Sequence, residues 1–173
     1  MTEMRRFSLA DFQRFGPHVR EAEPAYWQGR QALRLDGLLL LQDPLVADGT
    51  LEVDLWCTGP AYPGLVFHAR DEGAYELVYV QPHTSGQWDA IQYDPVFGGS
   101  NTWQLHAGPA YQASADVPMG QWLTLRATFG AGQMAVWLRP AGDPLPEGAP
   151  PRPSSQAATG AREPHANHRT PSA

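Results

Sequence analysis

As far as Arg139, apolar and polar side chains take turns along the chain. Leu33 and Leu35 flank Arg34, and Leu51, Val53 and Leu55 alternate with Glu52, Asp54 and Trp56. Leu65, Phe67 and Ala69 alternate with Val66, His68 and Arg70, and Tyr75, Leu77 and Tyr79 with Glu76, Val78 and Val80. Further on, Leu123, Leu125, Ala127 and Phe129 alternate with Trp122, Thr124, Arg126 and Thr128, and Met134, Val136 and Leu138 with Ala135, Trp137 and Arg139. A period of two sends successive side chains to opposite faces of an extended strand. Asp48-Gly49, Pro63-Gly64, Asp71-Glu72-Gly73, Ser85-Gly86, Gly98-Gly99 and Gly130-Ala131-Gly132 punctuate the runs as turns. Trp122–Phe129 and Gln133–Arg139 form a predicted hairpin. About nine short strands at regular spacing predict a sandwich or a barrel. Between Phe7 and Tyr26 the pattern allows two readings: Ser8-Leu9-Ala10-Asp11 caps a short helical turn, or the stretch is an irregular edge.

Composition narrows this picture. The chain has 173 residues, enough for one domain with a tail. Its 17 Gly and 17 Pro disfavour a helical bundle. Every Trp, Tyr and Phe lies before Pro140, and Leu145 is the one large aliphatic residue beyond it. The segment 140–173 therefore lacks the apolar area to offset its ordering entropy and is expected to be disordered, with residues 1–139 as the folded domain. His165 and His168 in that tail have no neighbours to orient them as metal ligands. The net charge is −6, all 12 basic residues are arginine, and they form no cluster, which argues against nucleic acid as a partner. Leu38–Leu41 is the longest apolar run, far below the roughly 20 residues of a membrane span, so no membrane partner is expected. Arg5 and Arg6 precede no apolar core, so no secretory signal is read and a cytoplasmic location is expected. Cys57 is the single cysteine; it forms no intrachain disulfide and reads as a buried strand thiol.

The strands from Thr50 to Leu138 carry a family likeness. Gly49-Thr50-Leu51-Glu52-Val53-Asp54, Gly64-Leu65-Val66-Phe67-His68-Ala69-Arg70-Asp71, Tyr75-Glu76-Leu77-Val78-Tyr79-Val80-Gln81-Pro82-His83 and the closing Gln121-Trp122 strand with its hairpin resemble the concanavalin A-like lectin/glucanase superfamily, in its laminin G-like bacterial form. The resemblance implies an antiparallel β-sandwich of jelly-roll type, a fold that serves hydrolases, lectins and interaction modules alike. Such domains continue past the Trp137-type strand with further strands, whereas this chain turns into Pro- and Ala-rich sequence. That predicts an open sheet edge, closed by Arg5–Phe15 or left by a tail read in a shifted frame.

The chemistry follows from the same residues. The glucanase branch works with Glu-x-Asp-x-x-Glu on one strand; here Glu52 and Asp54 are present and Cys57 stands where the second Glu belongs, so retaining hydrolysis by this motif is not expected. The dense polar and aromatic stretch between His68 and His106 predicts a saccharide ligand, with an aromatic face for the ring and amides, carboxylates and arginine for the hydroxyls. The candidate ligand-binding residues are His68, Arg70, Glu76, His83, Trp88, Asp89, Gln92 and Gln104, on the wet side of a hollow sheet. Trp88 leads them, because its Gly-containing loop offers it no core partner. The expected function is non-catalytic carbohydrate binding or recognition. The alternatives are a glycoside-acting enzyme using His68, Glu76 or Asp89, and an interaction module that pairs or self-associates through the open edge. Asp89, Asp94 and Asn101 have no Asp-x-Asp-x-Asp spacing to support calcium, and no cofactor is expected.

Overall fold

The computed structural model describes residues 5–16, 19–42 and 48–144, and the backbone of 153–156. In chain order the strands are β1 (Phe12–Phe15), β2 (Glu21–Trp27), β3 (Arg30–Asp36), β4 (Leu38–Leu41), β5 (Gly49–Trp56), β6 (Gly64–Asp71), β7 (Ala74–Val80), β8 (Ile91–Tyr93), β9 (Val96–Phe97), β10 (Ser100–Asn101), β11 (Gln112–Ala113), β12 (Trp122–Gly130), β13 (Gln133–Pro140) and β14 (Pro153–Gln156). The predicted hairpin is β12–β13, with Phe129 opposite Met134 and Leu125 opposite Leu138. Ala131 and Gly132, at φ +50° and +72°, make its tight turn.

Two antiparallel sheets face each other as a β-sandwich. One has the order β14-β13-β12-β5. In the other, β7 is flanked by β6 on one edge and by β8 and β9 on the other, with β10 and β11 outermost. The dry layer between them is built from the alternating positions: Leu123, Leu125, Ala127, Phe129, Met134 and Val136 against Phe67, Val78, Val80, Ile91 and Tyr93. Phe67 stacks on Phe129 with ring centroids 4.9 Å apart. Cys57, buried beside the end of β5, has its thiol pKa raised by that burial, which suits an inert core group rather than a nucleophile.

The N-terminal segment resolves its two readings in favour of the cap. Leu9–Asp11 is a 3-10 turn in which the Ser8 N–H and hydroxyl both donate to the Asp11 carboxylate, at 2.6 and 2.9 Å. These bonds, the backbone one first, hold the Asp11 pKa below its ordinary value. Arg5–Phe15 does not close the β13 edge. Phe12–Phe15 pairs instead with Leu38–Leu41, and the Phe15 ring meets Tyr75 edge-on at 5.6 Å. The β13 edge is met from the other end of the chain, where Pro153–Gln156 pairs with Gln133–Ala135. The rest of the expected tail beyond Pro144 lies outside the described residues.

One face assignment is the reverse of the expected one. Tyr75, Leu77 and Tyr79 were the apolar members of the β7 alternation, yet Val78 and Val80 enter the core. Phe67 stands opposite Glu76 in the ladder, so Glu76 lies on the inner side as well. The reason is that β7 is covered on both faces: Phe15 lies on Tyr75, and Tyr62 packs edge-on to Tyr79 at 5.5 Å. With neither face open, alternation of chemical type no longer tells inside from outside.

Candidate functional site

Trp88 sits on the loop between β7 and β8, and backbone chemistry makes that loop rigid. Pro82–Thr84 forms a 3-10 turn. Gln81 closes the base twice, its N–H donating to the Ala90 carbonyl at 2.8 Å and its side-chain amide to the Asp89 carbonyl at 2.6 Å. The far side is tied to the segment before β12: Gly86 N–H donates to Ala115 O at 2.8 Å, Ser114 Oγ to Gly86 O at 3.1 Å, and Val117 N–H to Ser85 Oγ at 2.8 Å. Among the described residues no comparable bond holds the indole of Trp88, which is 62% exposed.

Facing that indole is a second wall, Gly108, Pro109, Gln112, Ala113 and Ser114, and between them runs a groove of about 290 Å³. Gly108 adopts φ +100°, which lets its carbonyl accept from both Tyr111 and Gln112 N–H at 2.9 Å. The floor is a chain of amides. Gly108 N–H donates to Gln112 Oε1 (2.5 Å), Gln112 Nε2 to Gln92 Oε1 (2.6 Å), and Gln92 Nε2 to the Tyr93 and His106 carbonyls (2.6 and 3.0 Å). These bonds satisfy buried amides that would otherwise be costly and set the height of the second wall.

A separate polar cluster closes one end of the core. Glu76 accepts from Tyr93 Oη at 3.0 Å on one oxygen and meets His68 Nδ1 at 3.1 Å with the other. His68 reaches it because β6 slips register between Phe67 and Asp71, where His68 takes φ +50°, a strained value for a residue with a Cβ. Tyr93 stacks with Tyr111 and lies edge-on to His106. Since Tyr93 follows Gln92 in β8, the groove floor and this cluster share one strand.

Burial lifts the phenol pKa of both Tyr93 and Tyr79 well above 10.0, helped at Tyr93 by the charge of Glu76 and at Tyr79 by that of Asp94. A raised phenol favours the folded state fully below the unfolded pKa. That stability drains away as pH climbs beyond 10.0 toward the folded value. In an ultraviolet titration these two tyrosines are therefore expected to ionise only together with loss of the near-ultraviolet circular dichroism. Complete ionisation of all six tyrosines near pH 10 with that signal intact would contradict this burial.

The eight candidate residues thus divide. His68 and Glu76 come together, and Trp88 lines the groove. Gln92, 2% exposed, lies beneath the groove rather than on a hollow sheet face. Glu76 is engaged by His68 and Tyr93, not by Arg70, which is exposed within the bulge. His83 is exposed on its 3-10 turn with its ring edge-on to Tyr62 at 5.3 Å. Asp89 closes the loop through its carbonyl. Gln104 is exposed on the 3-10 turn Trp103–Leu105, outside the groove walls. The hollow sheet face expected around them is covered, as the burial of Tyr79, Gln92 and Asp94 records. Pro109, Gln112 and Ser114 escaped the sequence reading; the Gly108-Pro109 pair is a turn signal that was available there, but it carries no sign of its partner across the groove.

Other carboxylates are occupied. Asp94, fully buried, accepts from Asn101 Nδ2 at 2.6 Å and Thr102 N–H at 2.9 Å. This donor pairing, rather than shared coordination, is what unites two of the residues weighed for calcium. Among the described residues, no group of three or more His, Cys, Asp or Glu is placed to hold a metal ion. Glu52 is met by Arg126 and Arg139 at 3.5 and 3.2 Å, and Asp54 by Arg30 at 2.6 Å.

No family model matches the chain, and no curated protein does. Among solved structures it is similar to a carbohydrate-binding module, CBM66 from Bacillus subtilis, with a TM-score of 0.53 and 14% sequence identity over 74% of this chain and 73% of that one. The likeness is one of fold, and it agrees with the two-sheet sandwich.

Proposed function

We propose that the chain is a non-catalytic carbohydrate-recognition domain of the concanavalin A-like kind, whose ligand lies in the groove between Trp88 and the Gly108–Ser114 wall. The observation that carries the reading is Trp88 itself: a large indole, 62% exposed, fixed on a stapled loop and facing Pro109 and Ala113 across a groove. An aromatic face of this sort accepts the apolar side of a sugar ring. Ser114, whose hydroxyl donates to Gly86 O at 3.1 Å, lines the same groove. The fold of a solved carbohydrate-binding module supports the same reading. A purely binding role is favoured because the carboxylates of the broken glucanase motif are neutralised by arginines.

A glycan array followed by calorimetry with neutral β-glucan oligosaccharides tests it. Trp88→Ala is expected to weaken binding about thirtyfold, the factor for losing a buried aromatic anchor of about 2 kcal/mol, with the circular dichroism of the fold unchanged. A folded protein that binds no saccharide at millimolar concentration removes the proposal. Chromogenic glycosides separate the enzyme alternative, since a binder leaves them intact.

A further inference from the structure

The exterior of the β5–β12–β13 sheet gathers groups that the groove does not use. Trp56 and Trp122 stand opposite one another in the ladder with ring centroids 5.6 Å apart, and Trp27, at the tip of the β2–β3 hairpin, meets Trp56 edge-on at 6.4 Å. On the next rung Asp54, Thr124 and Arg139 follow one another across the three strands. The acceptors of this face are taken: Asp54 receives Arg30 and the Thr124 hydroxyl, both at 2.6 Å, and Glu52 receives Arg126 and Arg139. Donors are left over. Trp56 Nε1, Trp122 Nε1 and Arg139 Nε are buried and have no hydrogen-bond partner among the described residues. A buried donor in that state is costly to leave unpaired. Three of them on adjacent rungs suit a group that accepts and does not donate. A carboxylate is such a group, and the indoles beside it offer the flat apolar surface on which a sugar ring stacks.

The tip of the β2–β3 hairpin lies against this face. Among the described strands, β2 and β3 pair only with each other, and a lone two-stranded hairpin is marginal in water. Arg30 pins its tip, bonded to Asp54 and lying 5.2 Å over the Trp122 ring. Tyr26 and Trp27 remain 73% and 40% exposed.

We propose that the Trp56–Trp122–Arg139 face, with the hairpin tip as its cover, binds the carboxylate of an acidic saccharide, a uronic-acid oligomer. The proposal rests on the reading of the chain as a saccharide binder but concerns a different surface from the groove. Lifting the tip uncovers the two indoles, with Arg139 on the neighbouring rung, and the sugar ring then lies against the surfaces that Trp27 and Arg30 had covered.

Calorimetry of the full chain with trigalacturonate, beside a panel of neutral β-glucan oligosaccharides, tests it. Trigalacturonate is expected to bind, more weakly as salt is raised. Trp122→Phe keeps a ring and removes the N–H; Arg139→Lys keeps the charge and removes Nε. Each is expected to weaken trigalacturonate about tenfold. Trp88→Ala is expected still to bind it. Neutral sugars bound without trigalacturonate would overturn this proposal and leave the groove reading standing; trigalacturonate bound without neutral sugars would do the reverse. Trigalacturonate binding lost in Trp88→Ala but unmoved in both Trp122→Phe and Arg139→Lys would likewise overturn it.

Discussion

Phe129→Ala is expected to lower the stability of the folded chain by about 4 kcal/mol, the middle of the range for emptying a buried aromatic position. Phe129 is buried, stacks on Phe67 at 17° between ring planes, and meets the edge of His68 at 5.2 Å. It is thus the contact through which the two sheets touch at the end where the His68–Glu76–Tyr93 cluster sits. Its removal opens a space that Phe67 cannot fill, because Phe67 is held in the β6–β7 ladder opposite Glu76. A fall in melting temperature on the order of 15 °C is expected, and a loss below about 1 kcal/mol in a denaturant titration would show that the sheets do not meet there. Phe129→Leu, which keeps most of the volume, is expected to retain most of the stability.

Gly64→Ala is expected to destabilise by about 3 kcal/mol for a different reason, overcrowding rather than a void. Gly64 stands opposite Tyr79 where β6 and β7 come closest. A Cβ built there overlaps the Val78 carbonyl oxygen and lies 2.8 Å from the Tyr79 Cα, both of them backbone atoms that no rotamer change can move aside. The strands must part at that rung. The Val80 N–H to Pro63 O bond of 3.0 Å and the packing of Tyr62 on Tyr79 and His83 go with it. Hydrogen exchange is the direct readout: the Val80 amide is expected to lose protection in Gly64→Ala while the amides of β12 keep theirs relative to global stability. Unchanged protection at Val80 and an unchanged melting temperature would mean that the two strands do not approach so closely.

Both substitutions mark where sequence reasoning succeeds and where it stops. Phe129 could be assigned to the core from its own segment, because β12 alternates cleanly and has one dry and one wet face. Leu123, Leu125 and Ala127 follow the same rule, and their buried positions agree with it. β7 defeats the rule. Tyr75, Leu77 and Tyr79 are as apolar as Val78 and Val80, and the chain locally carries no instruction about which set turns inward. That choice came from partners outside the strand, Phe15 and Tyr62 on one side and the β12–β13 core residues on the other. The bulge that swings His68 back to Glu76 was equally invisible, since no glycine or proline marks it.

The candidate site shows the same division. That Trp88 would stand out from the fold was legible, because a tryptophan on a Gly-containing polar loop has no apolar neighbour in sequence to pack on. That its groove would be completed by Pro109, Gln112 and Ser114, with Gln92 as a buried support, was not, because those residues meet through hydrogen bonds spanning twenty residues or more, such as Gln112 to Gln92 and Ser114 to Gly86. By itself, then, the amino-acid order determined the all-β class, the β12–β13 hairpin and the prominence of Trp88, all consequences of alternation and turn chemistry within a few residues, and it left the Ser8–Asp11 cap as one of two readings. Tertiary structure alone decided which face of β7 is dry, where the groove lies and which carboxylates are already paired, because each is set by the packing of segments far apart along the chain.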